Sequence, residues 1–131
     1  MCIKAPRVDV IRLGDDIPVS KTPTKPNNLT DKQFVLCVGT VEARKNHALL
    51  YYAWKEGIGK GIDMPDLVIV GKNGWYTGDI IHTINNDPQI MNKIKIINSV
   101  SDDELVWLYQ NCMFTVYPSF YEGWGLPVAE S

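Results

Sequence analysis

Four short apolar runs, alternating with stretches of helical spacing, constrain the fold of this chain more than any other feature. Runs that are apolar throughout are typical of strands buried on both faces of a parallel sheet. Strands that alternate with helices are joined by right-handed crossovers, so we predict an α/β fold with a parallel β-sheet flanked by helices. The predicted strands are residues 34–39 (FVLCVG), 66–71 (DLVIVG), 93–97 (KIKII) and 113–117 (MFTVY).

Three helices are predicted between these strands. Residues 45–57 place their apolar side chains on helical spacing, and Gly57 is the expected C-terminal stop. Residues 78–86 form the second helix, which ends before a proline. The third begins at Ser101, and Glu104 three residues later completes the sequence pattern of a capping box.

The length of 131 residues predicts one compact domain with additional chain at its N-terminal side. Residues 18–31 include three prolines and few apolar groups, so we interpret them as a Pro-rich linker. Residues 1–17 contain a strand and a turn, which we expect at a domain junction. Residues 32–131 hold the alternating strands and helices and form the predicted α/β domain.

Charge and cysteine content exclude several classes of protein. A net charge of -2 without a basic stripe argues against a nucleic-acid partner. Cys37 and Cys112 lie in apolar runs and no C-x-x-C pair occurs, so we expect reduced thiols in a cytoplasmic protein. No signal-peptide pattern, no apolar run of about 20 residues and no His/Cys cluster is present, so neither a membrane span nor a metal site is expected.

The closing segment, YEGWGLPVAES, predicts a ligand site where a strand passes into a helix. Pro127 suits the first helical turn, and Gly123 and Gly125 just before it let backbone N–H groups approach an anion closely. Glu122 and Glu130 would repel a phosphate, so their carboxylates are better suited to accept hydrogen bonds from sugar and ribose hydroxyls. The alternative is a strand-to-helix turn whose glutamates are simply solvated.

A second candidate cluster lies in GTVEARKNH, which follows the first strand. Gly39 ends that strand, and Arg44 and Lys45 fall where the first helix begins. Two cations are unfavourable at a helix N-terminus, but they suit a bound diphosphate. The alternative is an exposed basic pair. His47 and His82 are isolated in the sequence, and we expect both on helix surfaces.

Four stretches in order resemble the donor-binding half of the family-4 glycosyltransferases, which are retaining enzymes of the two-domain GT-B fold. They are VLCVGTVEARKNHALLYYAW, LVIVGKNG, SVSDDELVWLYQNC and VYPSFYEGWGLPVAES. The last contains the family's E-x7-E signature as Glu122 and Glu130, with Trp124 where phenylalanine is commoner. The resemblance covers residues 8–131 and implies a partial Rossmann-like domain, the C-terminal half of a GT-B enzyme, incomplete at its C-terminus.

The resemblance implies catalytic roles for Arg44, Lys45 and Glu122. The two cations would stabilise the leaving diphosphate, and Glu122 would hold hydroxyls of the transferred hexose. Backbone groups around Val100 would meet the base, and Glu130 would bind the ribose. The donor-binding positions implied by the resemblance are Gly39, Val100, Gly123, Trp124, Gly125, Leu126 and Glu130.

The implied reaction is transfer of a glycosyl group from a nucleotide diphosphate sugar to an acceptor hydroxyl with retention of configuration. No metal or other cofactor is expected. The setting implied is polysaccharide or glycolipid assembly in the cytoplasm, with peripheral membrane association of the full enzyme left open. The resemblance also implies an acceptor-binding N-terminal domain outside this chain, so we expect the fragment to be inactive alone.

Three alternatives are weighed against this interpretation. The first is a non-catalytic nucleotide-sugar-binding module of the same fold. The second is a related GT-B enzyme, such as an epimerase or a phosphorylase, which the combination of the Arg-Lys pair with E-x7-E disfavours. A dinucleotide dehydrogenase is disfavoured because the chain lacks its glycine fingerprint.

Overall fold

The computed structural model describes residues 22–27, 29 and 31–123. Strands and helices alternate along these residues, as predicted. The prediction of residues 78–86 as a helix is confirmed with the same bounds. The elements are β1 (Phe34–Val38), a 3-10 turn (Ala43–Lys45), α1 (His47–Gly59), β2 (Asp66–Val70), α2 (Gly78–Asn86), β3 (Ile94–Ile97) and α3 (Asp102–Asn111).

The strands form a parallel sheet in the order β1-β2-β3. Residues 113–116 run along the other edge of β1, where Thr115 pairs with Leu36 in parallel. The N–H of Met113 donates to the carbonyl of Phe34 over 2.8 Å, and the N–H of Val116 donates to that of Leu36 over 2.8 Å. The predicted fourth strand therefore lies beside β1, but as an isolated bridge rather than a regular strand. Together these features give the predicted Rossmann-like α/β arrangement.

Both faces of the sheet are buried. Successive strand residues point to opposite sides, so neighbouring residues of one strand belong to two different cores. Val35 and Leu67 belong to the core on the side of α1 and α2. Leu36 and Val68 belong to a second core on the side of α3, centred on Leu108. The apolar character of the strands, from which the sheet was predicted, follows from this double coverage.

Helix α3 begins as the sequence predicts. The Ser101 hydroxyl accepts from the N–H of Glu104, and the Glu104 carboxylate accepts from the N–H of Ser101, which completes the capping box. Three acidic residues in the first turn also interact favourably with the helix dipole. Thr24, in the predicted linker, donates its N–H to the carbonyl of Asp103.

The predicted stop of α1 at Gly57 is wrong, since the helix continues to Gly59. Gly57 lies inside the helix, and its lack of a side chain lets Met64 pack where a Cβ would be. The glycine with a left-handed backbone is Gly61, at φ 75°, in the turn that follows. A glycine that permits close packing and a glycine that ends a helix look alike in sequence.

The two described cysteines are free. Cys37 is buried, and burial raises its pKa to about 11, while Cys112 is half-buried. Along the ranges that the structure describes, no helix combines the length and apolarity needed to cross a bilayer. The strand predicted within residues 1–17 lies outside those ranges, and the division of the chain at residues 18–31 stays a prediction.

We expect Gly71→Ala to destabilise the fold, because a Cβ at this position would collide with the carbonyl group of Gly39 where β1 and β2 end. Overpacking of this kind lowers the free energy of unfolding by about 2–3 kcal/mol. Gly59→Ala is the matched control, since a Cβ there meets nothing within 4 Å and alanine favours a helix. Chemical denaturation of both variants checks the expectation, and equal stabilities would contradict it.

Candidate functional site

The side chains of Arg44, Lys45 and Glu122 meet at the carboxyl edge of the sheet. Arg44 Nη1 donates to Glu122 Oε2 over 2.6 Å. Lys45 Nζ lies 2.5 Å from Glu122 Oε1 and forms an ion pair with it. Arg44 Nε forms a further ion pair with Glu42 Oε1 at 2.6 Å. Two cations and two carboxylates therefore share this cluster, and their charges balance.

The loop after β1 holds the two cations. Arg44 and Lys45 form the last part of the 3-10 turn, and Asn46 then takes a left-handed backbone, at φ 54°, before α1 begins. No side chain caps α1, and no acidic residue occupies its first turn. The helix N-terminus is therefore as electropositive as the sequence indicates.

The segment that carries Glu122 docks on this loop through hydrogen bonds to backbone carbonyl groups. The N–H of Phe120 donates to the carbonyl of Arg44 over 2.9 Å. Asn46 Nδ2 donates to the carbonyl of Pro118 over 3.3 Å. These contacts bring Glu122 to the two cations across 78 residues of sequence.

Lys45 is the most enclosed charge of the cluster, with only 10% of its side chain exposed. Its Nζ donates to the Tyr117 hydroxyl over 2.8 Å and lies 4.8 Å from the centre of that ring. A Cβ built on Gly39 would lie 3.6 Å from the same Nζ. Gly39 therefore lies in van der Waals range of the ammonium, beside the cations where the sequence places it.

The charges in the cluster shift each other's ionisation. Burial would raise the pKa of Glu122, but hydrogen bonds and charges from Lys45 and Arg44 outweigh it and lower this pKa to about 2. The hydrogen bond to Glu122 raises the pKa of Arg44. Burial would lower the pKa of Lys45, yet Glu122 and Tyr117 raise it. The two cations and the carboxylate are therefore all ionised at neutral pH.

The cluster also contains polar atoms without a well-directed partner. Ser119 Oγ and Glu122 Oε1 are buried, and neither makes a hydrogen bond of good geometry within the described residues. Glu122 Oε1 forms an ion pair with Lys45 at 2.5 Å. Ser119 also contributes to lowering the pKa of Glu122.

An open cavity of about 280 Å³ lies next to the cluster, where the ends of β1, β2 and β3 meet. Val100 lines it together with Gly39 and Gly71. A cavity at the carboxyl ends of parallel strands is the usual place for a ligand in this kind of sheet. The structure thus places the predicted base-contacting position beside the predicted cation site.

The structure therefore brings together four predicted site residues, Gly39, Arg44, Lys45 and Glu122, and places Val100 nearby. Gly123 follows Glu122 in a bend. Glu42 and Tyr117 were missed by sequence reasoning, although both stand directly in the stretches that it selected. The predicted positions that lie outside the described residues are Trp124, Gly125, Leu126 and Glu130.

The prediction that His47 lies on a helix surface is wrong. His47 is buried, and neither of its ring nitrogens makes a hydrogen bond of good geometry among the described residues, although the nearby backbone of Glu42 favours the charged form of the ring. Burial and then the nearby Lys45 lower its pKa, so the ring is neutral at neutral pH. Within residues 22–27, 29 and 31–123, no group of three or more His, Cys, Asp or Glu residues is arranged to hold a metal ion.

Comparison with known proteins gives one family and two kinds of relative. Residues 19–131 match the family described as "Glycosyl transferases group 1". The chain is 35% identical over 96 residues to the serotype-specific mannosyltransferase WbdA of Escherichia coli. The aligned region covers 73% of this chain and 12% of that protein. It is 33% identical over 98 residues to the O-antigen chain mannosyltransferase B of Escherichia coli, covering 75% of this chain and 26% of that protein. The chain thus spans a small part of the length of either relative.

We expect Glu122 to make stability depend on pH. The pKa of Glu122 is about 2 in the folded chain, below its ordinary value of 4.5. Its ionisation therefore stabilises the fold above about pH 4.5, and this contribution is lost as the pH falls towards about 2. The difference in free energy of unfolding between the wild type and Glu122→Gln should shrink over this interval.

Denaturant titrations at steps between about pH 6 and about pH 2.5 measure that difference. Asp87, which pairs with Lys55, also has a pKa of about 2, but it is present in both proteins and its effect cancels. A difference that stays constant across this interval would contradict the expectation.

Proposed function

We propose a function from one premise: this chain belongs to the glycosyl transferases of group 1. The family and the two mannosyltransferases support sugar transfer as the reaction class. We propose further that the chain carries the donor site, which binds a nucleotide diphosphate sugar, and that transfer to an acceptor hydroxyl retains the anomeric configuration. Because both relatives are named as mannosyltransferases, mannose is the first sugar to test.

One observation carries the donor assignment. A guanidinium and an ammonium both lie within 2.6 Å of the two oxygens of one carboxylate. Arg44 and Lys45 can therefore bind two oxygens of a single anion at the same time, with the arginine offering a fork and the lysine a point charge. A diphosphate supplies such oxygens, and the adjoining cavity lined by Val100 has room for the attached nucleoside.

The proposed chemistry rests on charge that develops as the sugar leaves. When the sugar–oxygen bond breaks, negative charge accumulates on the departing diphosphate. Fixed cations stabilise that charge most effectively when they need no rearrangement at the moment of reaction. Arg44 and Lys45 supply the cations. We propose a same-face attack in which the acceptor oxygen bonds to the anomeric carbon as the sugar–phosphate bond breaks, and the hydroxyl proton passes to an oxygen of the leaving phosphate.

In this proposal, the Glu122 carboxylate accepts hydrogen bonds from hydroxyls of the transferred sugar, and it is not a nucleophile. Its oxygens face Arg44 and Lys45 in the described structure, so a diphosphate and Glu122 compete for the same two cations. On donor binding, the carboxylate exchanges these contacts for hydroxyl groups of the transferred sugar. The ion pair with poor hydrogen-bond direction at Oε1 is consistent with such an exchange.

The remaining positions keep the roles that the resemblance implies. Gly123, Trp124 and Gly125 would contact the sugar and phosphates through their backbone, and Leu126 would line the nucleotide site. Glu130 would bind the ribose hydroxyls. We propose a cytoplasmic setting in polysaccharide assembly, no metal requirement, and an acceptor-binding domain elsewhere in the protein that contains this chain.

A non-catalytic nucleotide-sugar-binding module is the second candidate. It shares the diphosphate site and differs in the absence of transfer. Titration of the chain with nucleoside diphosphates tests binding in both cases. A donor screen on a version extended at both ends, with released nucleoside diphosphate as the readout, separates an enzyme from a module.

We expect Arg44→Ala and Lys45→Ala each to weaken nucleoside diphosphate binding by about 100-fold, because each removes a fixed charge from the anion site. Lys60→Ala is the matched control, since this lysine is exposed and pairs only locally with Glu56. Calorimetric titration with a nucleoside diphosphate measures the effect. Binding that is unchanged in both site variants would refute the donor assignment.

We expect Glu122→Gln to separate binding from transfer. The neutral amide no longer competes for the cations, so binding of inorganic pyrophosphate should tighten by about tenfold. Sugar transfer in the extended protein should fall by about 100-fold, because the amide is a weaker acceptor for the sugar hydroxyls than a carboxylate. Pyrophosphate binding that weakens instead would show that Glu122 does not compete with the anion.

A further inference from the structure

The ammonium of Lys45 has two kinds of partner. One is the carboxylate of Glu122, which cancels its charge. The other is the hydroxyl of Tyr117, which accepts a hydrogen bond of 2.8 Å and carries no charge of its own. The sequence patterns do not select Tyr117, and the proposed reaction gives it no role.

The difference between these partners decides what Lys45 can do for a bound anion. A lysine side chain has a flexible four-carbon stem, and holding it in one place costs conformational entropy. A carboxylate fixes the stem but removes the attraction for a second anion. A phenol hydroxyl fixes the stem and leaves the full positive charge available, so it prepares the site without occupying it.

Tyr117 is itself held in place by the backbone around it. The N–H of Val116 donates to the carbonyl of Leu36, which ties the preceding segment to β1. On the other side, the carbonyl of Pro118 accepts from the side chain of Asn46, the residue just before α1. Both neighbours of Tyr117 along the chain are therefore anchored to elements that frame the loop carrying Lys45.

Gly39 also lies beside the ammonium, but it has no side chain to hold it. Once Glu122 turns to a sugar, Tyr117 is the partner in the described structure that still fixes Lys45 Nζ. The ring lies 4.8 Å from the same nitrogen and adds a cation–π attraction.

We propose that Tyr117 is a positioning residue, whose hydroxyl holds the Lys45 ammonium ready for the diphosphate and keeps it there when Glu122 is displaced. The inference rests on the proposed function, since it gives Lys45 an anion to bind. Tyr117 acts through Lys45 and need not touch the donor.

The test compares Tyr117→Phe with the wild type in the full chain, using inorganic pyrophosphate as the probe. The variant keeps the ring and loses the acceptor, so we expect binding to weaken by about tenfold, the usual effect of losing a hydrogen bond to a charged group. Tyr52→Phe is the matched control, because this phenol is 65% exposed on α1 and its loss should leave binding unchanged.

A double-mutant cycle shows whether Tyr117 acts through Lys45. If it does, Tyr117→Phe weakens binding in the wild type but adds nothing in Lys45→Ala. Acylation of Lys45 by an amine-reactive reagent, followed by mass spectrometry, gives a second readout. Its rate relative to that of Lys55 should rise in Tyr117→Phe, because losing the hydrogen bond to Tyr117 lowers the pKa of Lys45 and leaves more of the reactive neutral amine; an unchanged ratio would contradict the role of Tyr117.

The outcomes distinguish the two proposals. Weaker binding in Lys45→Ala together with unchanged binding in Tyr117→Phe would overturn the role of Tyr117 and leave the donor site standing. Equal losses from Tyr117→Phe in the presence and absence of Lys45 would also overturn it. Unchanged binding in Lys45→Ala would overturn the role of Tyr117, and unchanged binding in Arg44→Ala as well would refute the proposed function itself.

Discussion

The parallel pairing of three apolar strands is the constraint on which the rest of this structure depends. In a parallel sheet every strand ends at the same edge, so the loops after β1, β2 and β3 must lie side by side. The ends of β1 and β2 approach so closely that a Cβ on Gly71 would collide with the carbonyl group of Gly39. The cluster of charges and the cavity beside it both occupy this edge.

The charged cluster resolves a conflict that the sheet creates. The loop after β1 places two cations at the N-terminus of α1, where the helix dipole makes them unfavourable. Glu42 and Glu122 offset both charges, and the segment carrying Glu122 is fixed to the loop by backbone hydrogen bonds. The same contacts that stabilise the loop therefore hold its cations side by side.

Under the proposed function, in which the cluster binds the donor diphosphate, this arrangement has a further consequence. An anion-binding site that is already filled by the protein's own carboxylate stays ordered, but it binds a ligand anion only by exchange. The two partners of Lys45 then behave differently on exchange. The charged Glu122 can leave the cations, while the uncharged Tyr117 can keep its hydrogen bond to Lys45. The neutral, buried His47 beneath Lys45 adds no further positive charge to the cluster.

The sequence by itself determined the order and approximate positions of the strands and helices. The spacing of apolar residues, the glycines and the capping patterns record local preferences that the sheet then satisfies. It also selected both halves of the site, through Arg44 with Lys45 and through Glu122, and a resemblance in four ordered stretches indicated the family. It misjudged Gly57 and His47, whose surroundings come from distant residues, and it passed over Tyr117 and Glu42. Only the tertiary structure decided that Glu122 lies between the two cations, since a contact across 78 residues depends on strand order and on how the last segment docks. Local patterns carry no information on that geometry, because the energy that fixes it comes from packing between elements.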